Sequence, residues 1–286
     1  MFDFVVSSIR IEDRKEEQSV IVFESGIGMD MGNWDQVINE VSEKAPVLLY
    51  GSSGIVNSGP ERDTMIIKDV SDRILRMMDY LEIEPLFILV RHSLGGVYVR
   101  SFAVYHPEML AGLIIIDPAD FTQTKENDRL PYLDIGFTQK MIDFSFLKNA
   151  IQDRIRKSNN SNYLIRRKTD VLRMMRDLEF ERIRNSKLPS IPVHILVGGR
   201  YEVPPRFGTT EYNDSIYFGA QWKHRVERWT EEILTVDKGM RLYTGDAGHF
   251  VHYDDPELLI SSVRIILQDY EQLKNKTKKK QPATNK

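Results

Sequence analysis

Residues 87–103 read FILVRHSLGGVYVRSFA. The opening FILV is apolar throughout, which is the pattern of a strand buried on both faces rather than one with a solvated side. From Gly95 onward, in GGVYVRSFAVYHPEM, apolar residues recur at intervals of three and four, as a helix covering a sheet requires. Arg91-His92-Ser93-Leu94-Gly95-Gly96 lies between them, so strand, tight turn and helix follow in direct succession. Such a turn lifts the Ser93 hydroxyl above the sheet edge and aims the positive end of the helix at it. The two glycines let helix and strand approach closely.

The same alternation extends in both directions. SVIVFES, APVLLYG, AGLIIID and IPVHILVGG are further compact, β-branched runs, and MRLYT precedes a loop and helix near the C-terminus. NWDQVINEVSEK and RDTMIIKDVSDRILRMMDYLEI carry helical spacing between them. Alternating strands and helices predict an α/β fold with a doubly wound, mostly parallel sheet. The N-terminal FVVSSIRIE alternates more regularly and predicts an antiparallel edge strand or hairpin. Residues 121–188 interrupt the rhythm with dense charge and no strand-like run. Val171, Met174, Met175 and Leu178 repeat there at helical spacing, so this stretch is expected to be a helical cap insertion whose apolar stripe packs on the main domain. The core is then formed by residues 1–120 and 189–273, and the lysine-rich 274–286 is expected to be a disordered tail.

Composition narrows the function. The chain of 286 residues has 39 Lys and Arg against 42 Asp and Glu, a net charge of -3, without the basic excess that nucleic-acid binding needs. No apolar run approaches the ~20 residues of a membrane span. The start, MFDFVVSSIRIEDR, lacks the basic region and apolar core of a secretory signal, so a cytoplasmic location is expected. Zero cysteines exclude disulfides, thiolate metal sites and a cysteine nucleophile.

Ser93 sits in the strand-turn-helix context that a G-x-S-x-G nucleophile requires, with Arg91 in place of the first glycine. A partner follows in GDAGHFVHYDDPELL, where His249 lies in a loop after a strand and is placed to act as general base. His252 invites a metal reading, which the absence of a third ligand at recognisable spacing and of H-E-x-x-H makes weak. His92, His106, His194 and His224 read as structural, His92 adjoining Ser93 in sequence only. GIGMDMG places its glycines at 26, 28 and 32, one residue too wide for a dinucleotide fingerprint, and no acid ends the next strand. Neither metal nor cofactor is expected.

Taken together, these blocks resemble the α/β-hydrolase fold, close to its small bacterial esterase and aminopeptidase-like group. The likeness covers most of residues 18–270 outside the insertion: VFESGIGMDMGNWDQV is similar to the family's oxyanion loop, LLYGSSGIVNSG to its next strand and turn, and GHFVHYDDPELL to its histidine block. The resemblance implies an oxyanion hole formed by the backbone N–H groups of Ile27 and Leu94, with Ser25 where a histidine is usual. It implies a carboxylate to orient His249, and here two positions compete. The usual family site follows IPVHILVGG, where this chain has Glu202. Asp117, closing AGLIIID, matches the acid of dehalogenase-like relatives and is favoured because no aspartate follows ILVGG, with Asp120 a weaker third. The implied activity is hydrolysis of carboxylic esters, or small amides, through an acyl-enzyme. The alternative is a ligand-binding or signalling protein of weak or no turnover. Arg91 is expected to be tolerated, its guanidinium reaching solvent or a carboxylate, with Asp117 within reach.

Overall fold

A computed structural model describes residues 6–9, 11, 13–24, 31–50, 67–148, 180–202 and 212–280. The apolar runs become β1 (Val6–Ile9), β2 (Val20–Glu24), β3 (Val47–Tyr50), β4 (Phe87–His92), β5 (Leu110–Ile116), β6 (Val193–Gly198) and β7 (Gly239–Thr244). They form one seven-stranded sheet in the order β1-β3-β2-β4-β5-β6-β7. β1 pairs antiparallel with β3 at one edge and the other six strands are parallel. Every residue of β2 to β6 is buried. Helices on both faces cause this, which is why these strands are apolar without alternation.

Along β4 and β5 the side chains divide between two cores. Phe87, Leu89, Leu113 and Ile115 pack with α2 (Ile67–Tyr80), α3 (Leu94–Tyr105) and α6 (Asp214–Ile233), through residues such as Ile74, Phe102 and Trp229. Ile88, Val90, Ile114 and Ile116 pack on the opposite face with α1 (Ile38–Ser42), α7 (Val251–Asp254) and α8 (Pro256–Lys280), through Val41, Val251, Val263 and Ile266. Each fully buried side chain of this kind contributes about 1.5–3 kcal/mol. α6 is capped by Asn213, whose carboxamide oxygen accepts the N–H groups of Ser215 and Ile216 at 3.0 and 3.3 Å, satisfying two donors that a helix start leaves free.

Two expectations change. The helix read over NWDQVINEVSEK is confined to α1, after a single 3-10 turn over Met31–Trp34. α8 continues to Lys280, seven residues into the stretch expected to be disordered. Lysine is a good helix former and a basic last turn complements the negative end of the helix dipole, so the lysines extend the helix. Within 121–148, α4 (Leu130–Asp134) and a helix over 139–148 stand outside the sheet, and α5 (Phe180–Asn185) returns to α3. Val171, Met174, Met175 and Leu178 lie outside the described residues.

Candidate active site

β4 ends at His92, Ser93 follows, and α3 begins at Leu94. Ser93 has φ 56° and ψ −121°, a conformation costing about 1–3 kcal/mol that persists only when its surroundings enforce it. Its N–H donates to the Ile116 carbonyl at 2.9 Å, and its carbonyl accepts from Gly96 and Ala119 at 3.0 Å each. These bonds fix the turn to the end of β5 and to α3. A Cβ on Gly96 would lie 2.6 Å from Pro118 Cβ and 2.7 Å from Ile115 Cγ2, so only glycine lets the helix start settle on β5.

Asp117 is the residue after β5, with φ 38°, and its N–H donates to Leu196 O at 2.8 Å. His249 lies in the loop between β7 and α7. Asp254 Oδ2 accepts from Gly248 N and from Arg200 at 2.8 Å each, while Arg200 also donates to the Asp246 carbonyl at 2.6 Å, bracing that loop. The imidazole is thereby brought between two partners: His249 Nδ1 lies 2.5 Å from Asp117 Oδ2, and Nε2 lies 3.0 Å from Ser93 Oγ. A carboxylate can only accept, so Nδ1 carries the proton and Nε2 is free to accept from the serine hydroxyl. The Asp117 side chain is 9% exposed and that of His249 43%, so the line runs from a sheltered charge to an accessible edge.

The other candidates are disposed differently. Glu202, also after a strand, gives its carboxylate to Arg200 at 2.8 Å. Asp120 accepts from Thr122 N at 3.0 Å and ion-pairs with Arg228, tying the loop after β5 to α6. The N–H of Leu94, first in α3, has no intrahelical acceptor by position. Ile27 lies outside the described residues. Beside the turn, Leu94 and Val97 pack with Phe121, Phe180 and Ile183, so α5 walls the site on the α3 side. Among the described residues, no three His, Asp or Glu side chains are grouped to hold a metal ion.

The reading of Arg91 is corrected, and that of His92 as structural is extended. His92 touches more than its sequence neighbour: its Nε2 lies 2.8 Å from the His249 carbonyl, and the two rings are 4.5 Å apart between centroids. As the next residue after Arg91 it points to the opposite face of the sheet, where the His249 loop returns. Arg91 meets neither solvent nor Asp117. It is 1% exposed and ion-pairs with Glu24, itself 3% exposed, at the end of β2. Removing one partner of a buried pair costs about 3–5 kcal/mol, a cost that the reading of Arg91 as merely tolerated leaves out. The signal in the sequence was Glu24 itself, a carboxylate closing an otherwise apolar strand, which needs a cation beside it.

His92, His194 and His252 are buried. Burial, with His249 and His252 nearby, lowers the His92 pKa to about 2. Burial likewise lowers His252 to about 3, where its ring packs 4.7 Å from that of Trp34, and His194 to about 4. Above pH ~6.5 these imidazoles are neutral in both folded and unfolded chains and stability is insensitive to them. Below it the unfolded chain takes up protons that the folded chain refuses. Each residue then withdraws about 1.4 kcal/mol per pH unit, a loss that continues until the folded pKa is reached. Urea unfolding at pH 7 and pH 5 should therefore show a loss of several kcal/mol. His252→Phe, which keeps a ring against Trp34, should reduce that loss by about 2 kcal/mol. An unchanged difference in the variant would mean that His252 is not buried neutral.

Residues 19–191 match the sequence profile described as the alpha/beta hydrolase fold, and the chain belongs to that family. A protein of Bacillus subtilis (strain 168), YqjL, is 25% identical over 109 residues, which are 38% of this chain and 43% of that one. The chain spans about two fifths of the length of the curated relatives it matches. Among solved structures it is similar to a thermophilic esterase from Thermogutta terrifontis, at 15% identity and TM-score 0.55 over 93% of each chain. It is also similar to the enol-lactonase from Burkholderia xenovorans LB400, at 16% identity and TM-score 0.54 over 93% of this chain and 96% of that one. No helix among the described residues is long and apolar enough to cross a membrane.

Proposed function

We propose that this chain is a serine hydrolase of carboxylic esters that works through an acyl-enzyme. The observation that carries the reading is the unbroken line from Ser93 Oγ through His249 to Asp117, at 3.0 and 2.5 Å. In this reading His249 Nε2 takes the Ser93 proton as Oγ attacks the ester carbonyl. The imidazolium so formed is stabilised by Asp117, and it returns the proton to the leaving alkoxide. Water then repeats the sequence on the acyl-enzyme and releases the acid. Developing charge on the carbonyl oxygen is met by the Leu94 N–H at the positive end of α3, and the family resemblance implies the N–H of Ile27, outside the described residues, as a second donor. His92 holds the His249 backbone through its carbonyl, and its own burial keeps a competing charge away from the imidazolium.

Family membership supports hydrolytic chemistry, and the two solved structures it resembles are named an esterase and an enol-lactonase, a lactone being a cyclic ester. Esters are favoured over small amides because an alkoxide leaves more readily than an amide nitrogen and demands less of the general acid. The described parts of the expected cap, residues 121–148 and 180–188, meet α3 through Phe121, Phe180 and Ile183. The test is reactivity with a fluorophosphonate. Covalent capture of one equivalent per chain is expected of the hydrolase, and inertness would support a ligand-binding protein on the same fold.

A further inference from the structure

Tyr50, Glu24 and Arg91 occupy one rung of the sheet: Glu24 is in register with Tyr50 on β3 and with Arg91 on β4. All three are buried, at 3%, 3% and 1% exposure. The Tyr50 hydroxyl donates to Glu24 Oε2 at 2.5 Å, and the same oxygen takes the Arg91 guanidinium. That guanidinium lies 5.4 Å from the Tyr50 ring centroid and 5.7 Å from that of Tyr98, one turn into α3, distances at which a cation is held by the faces of both rings. The stem runs beneath the first turn of α3, since a Cβ on Gly95 would lie 3.0 Å from Arg91 Cβ and 3.2 Å from Arg91 Cδ.

One side chain therefore holds the strand before Ser93 and the helix after it, and fastens both to the ends of β2 and β3. Ser93 sits between these two anchored elements in a backbone conformation that relaxes when it is not enforced. We propose that the Arg91–Glu24 pair positions Ser93, setting the height of its Oγ under His249 Nε2. Arg91 would thus do through an ion pair what a glycine at that place does by leaving room. The proposal rests on Ser93 being the nucleophile. Neither Arg91 nor Glu24 touches the substrate, so both act through the turn.

Burial lowers the Arg91 pKa to about 9, which leaves the side chain charged at neutral pH. Removing Glu24 would therefore leave a buried cation without its carboxylate. Stability and positioning can be separated by removing both.

The experiment measures kcat, KM and the fluorophosphonate labelling rate, per folded molecule, for wild type, Arg91→Lys, Arg91→Met, Glu24→Gln and the double variant Arg91→Met/Glu24→Gln. A displacement of Oγ by a fraction of an ångström to one ångström predicts a fall in kcat of about 10- to 100-fold in Arg91→Met and Glu24→Gln, with KM within about threefold. Arg91→Lys, which keeps the charge but not the planar contact with the two rings, should lie between wild type and Arg91→Met. The double variant should recover thermal stability, since neither charge is stranded, while kcat and labelling stay low. A double variant with wild-type kcat and labelling rate would overturn the proposal and leave the pair a role in stability alone. Should Arg91→Met fail to fold, Arg91→Lys and the double variant carry the same comparison. If wild type is neither labelled nor active on esters, the reading of Ser93 itself falls, a result distinct from active wild type with unaffected variants.

Discussion

Ser93→Ala is expected to lower kcat/KM for a short p-nitrophenyl ester by on the order of 10⁴ or more while leaving the fold unchanged. The substitution removes Oγ alone. The backbone bonds that hold the turn, from Ser93 N to Ile116 O and from Gly96 N and Ala119 N to Ser93 O, do not involve the side chain. Alanine bears a Cβ as serine does, so it meets the same strain at φ 56° without adding to it. The hydroxyl is partly exposed and its partner is His249, itself accessible, so no buried polar group is orphaned and the melting temperature should move by a degree or two at most. What remains after the substitution is catalysis by the oxyanion donors and by binding. Activity within about tenfold of wild type would place the chemistry on another residue.

Asp117→Asn carries the second large effect, a fall of roughly 10³- to 10⁴-fold in kcat, against less than about tenfold for Glu202→Gln. An asparagine at 117 is neutral and offers both a carbonyl and an NH₂ to His249 Nδ1. It neither fixes the tautomer that leaves Nε2 free nor stabilises the imidazolium formed in the transition state. Glu202 gives its carboxylate to Arg200, and Arg200 keeps Asp254 and the Asp246 carbonyl when Glu202 is neutralised. The His249 loop therefore keeps its brace. Steady-state measurement on one ester settles the ranking, and the reverse order would move the orienting role to Glu202.

These expectations depend on features that differ in how openly the sequence displays them. β2 to β6 are legible because each is buried on both faces, so FILV and AGLIIID carry their environment in their composition. The succession of Ser93, an acid and His249 along the chain is legible because it follows the order in which the strands end. The choice between Asp117 and Glu202 is not, since both follow a strand of the same sheet. Only the path of the loop braced by Arg200 and Asp254 sets which carboxylate meets Nδ1. Arg91 was legible as an anomaly that could meet a carboxylate, but with Asp117 expected where Glu24 stands. Its partner lies in β2, and that β2 sits between β3 and β4 is a property of the sheet order, which no local pattern carries. His92 is similar: its contact with His249 exists because a loop distant in sequence closes over the end of β4. At the C-terminus, the lysines read as a solvated tail by charge and as a helix by propensity, and propensity governs as far as Lys280.

The central claim is that Ser93 is a nucleophile activated by His249. Its most direct test is the site of fluorophosphonate attachment, read by mass spectrometry of the digested protein. The account predicts a single adduct on the peptide carrying Ser93, formed by wild type and lost in His249→Ala, with Asp117→Asn reacting slowly. An adduct on a different residue, or labelling of Ser93 that persists undiminished without His249, would contradict it.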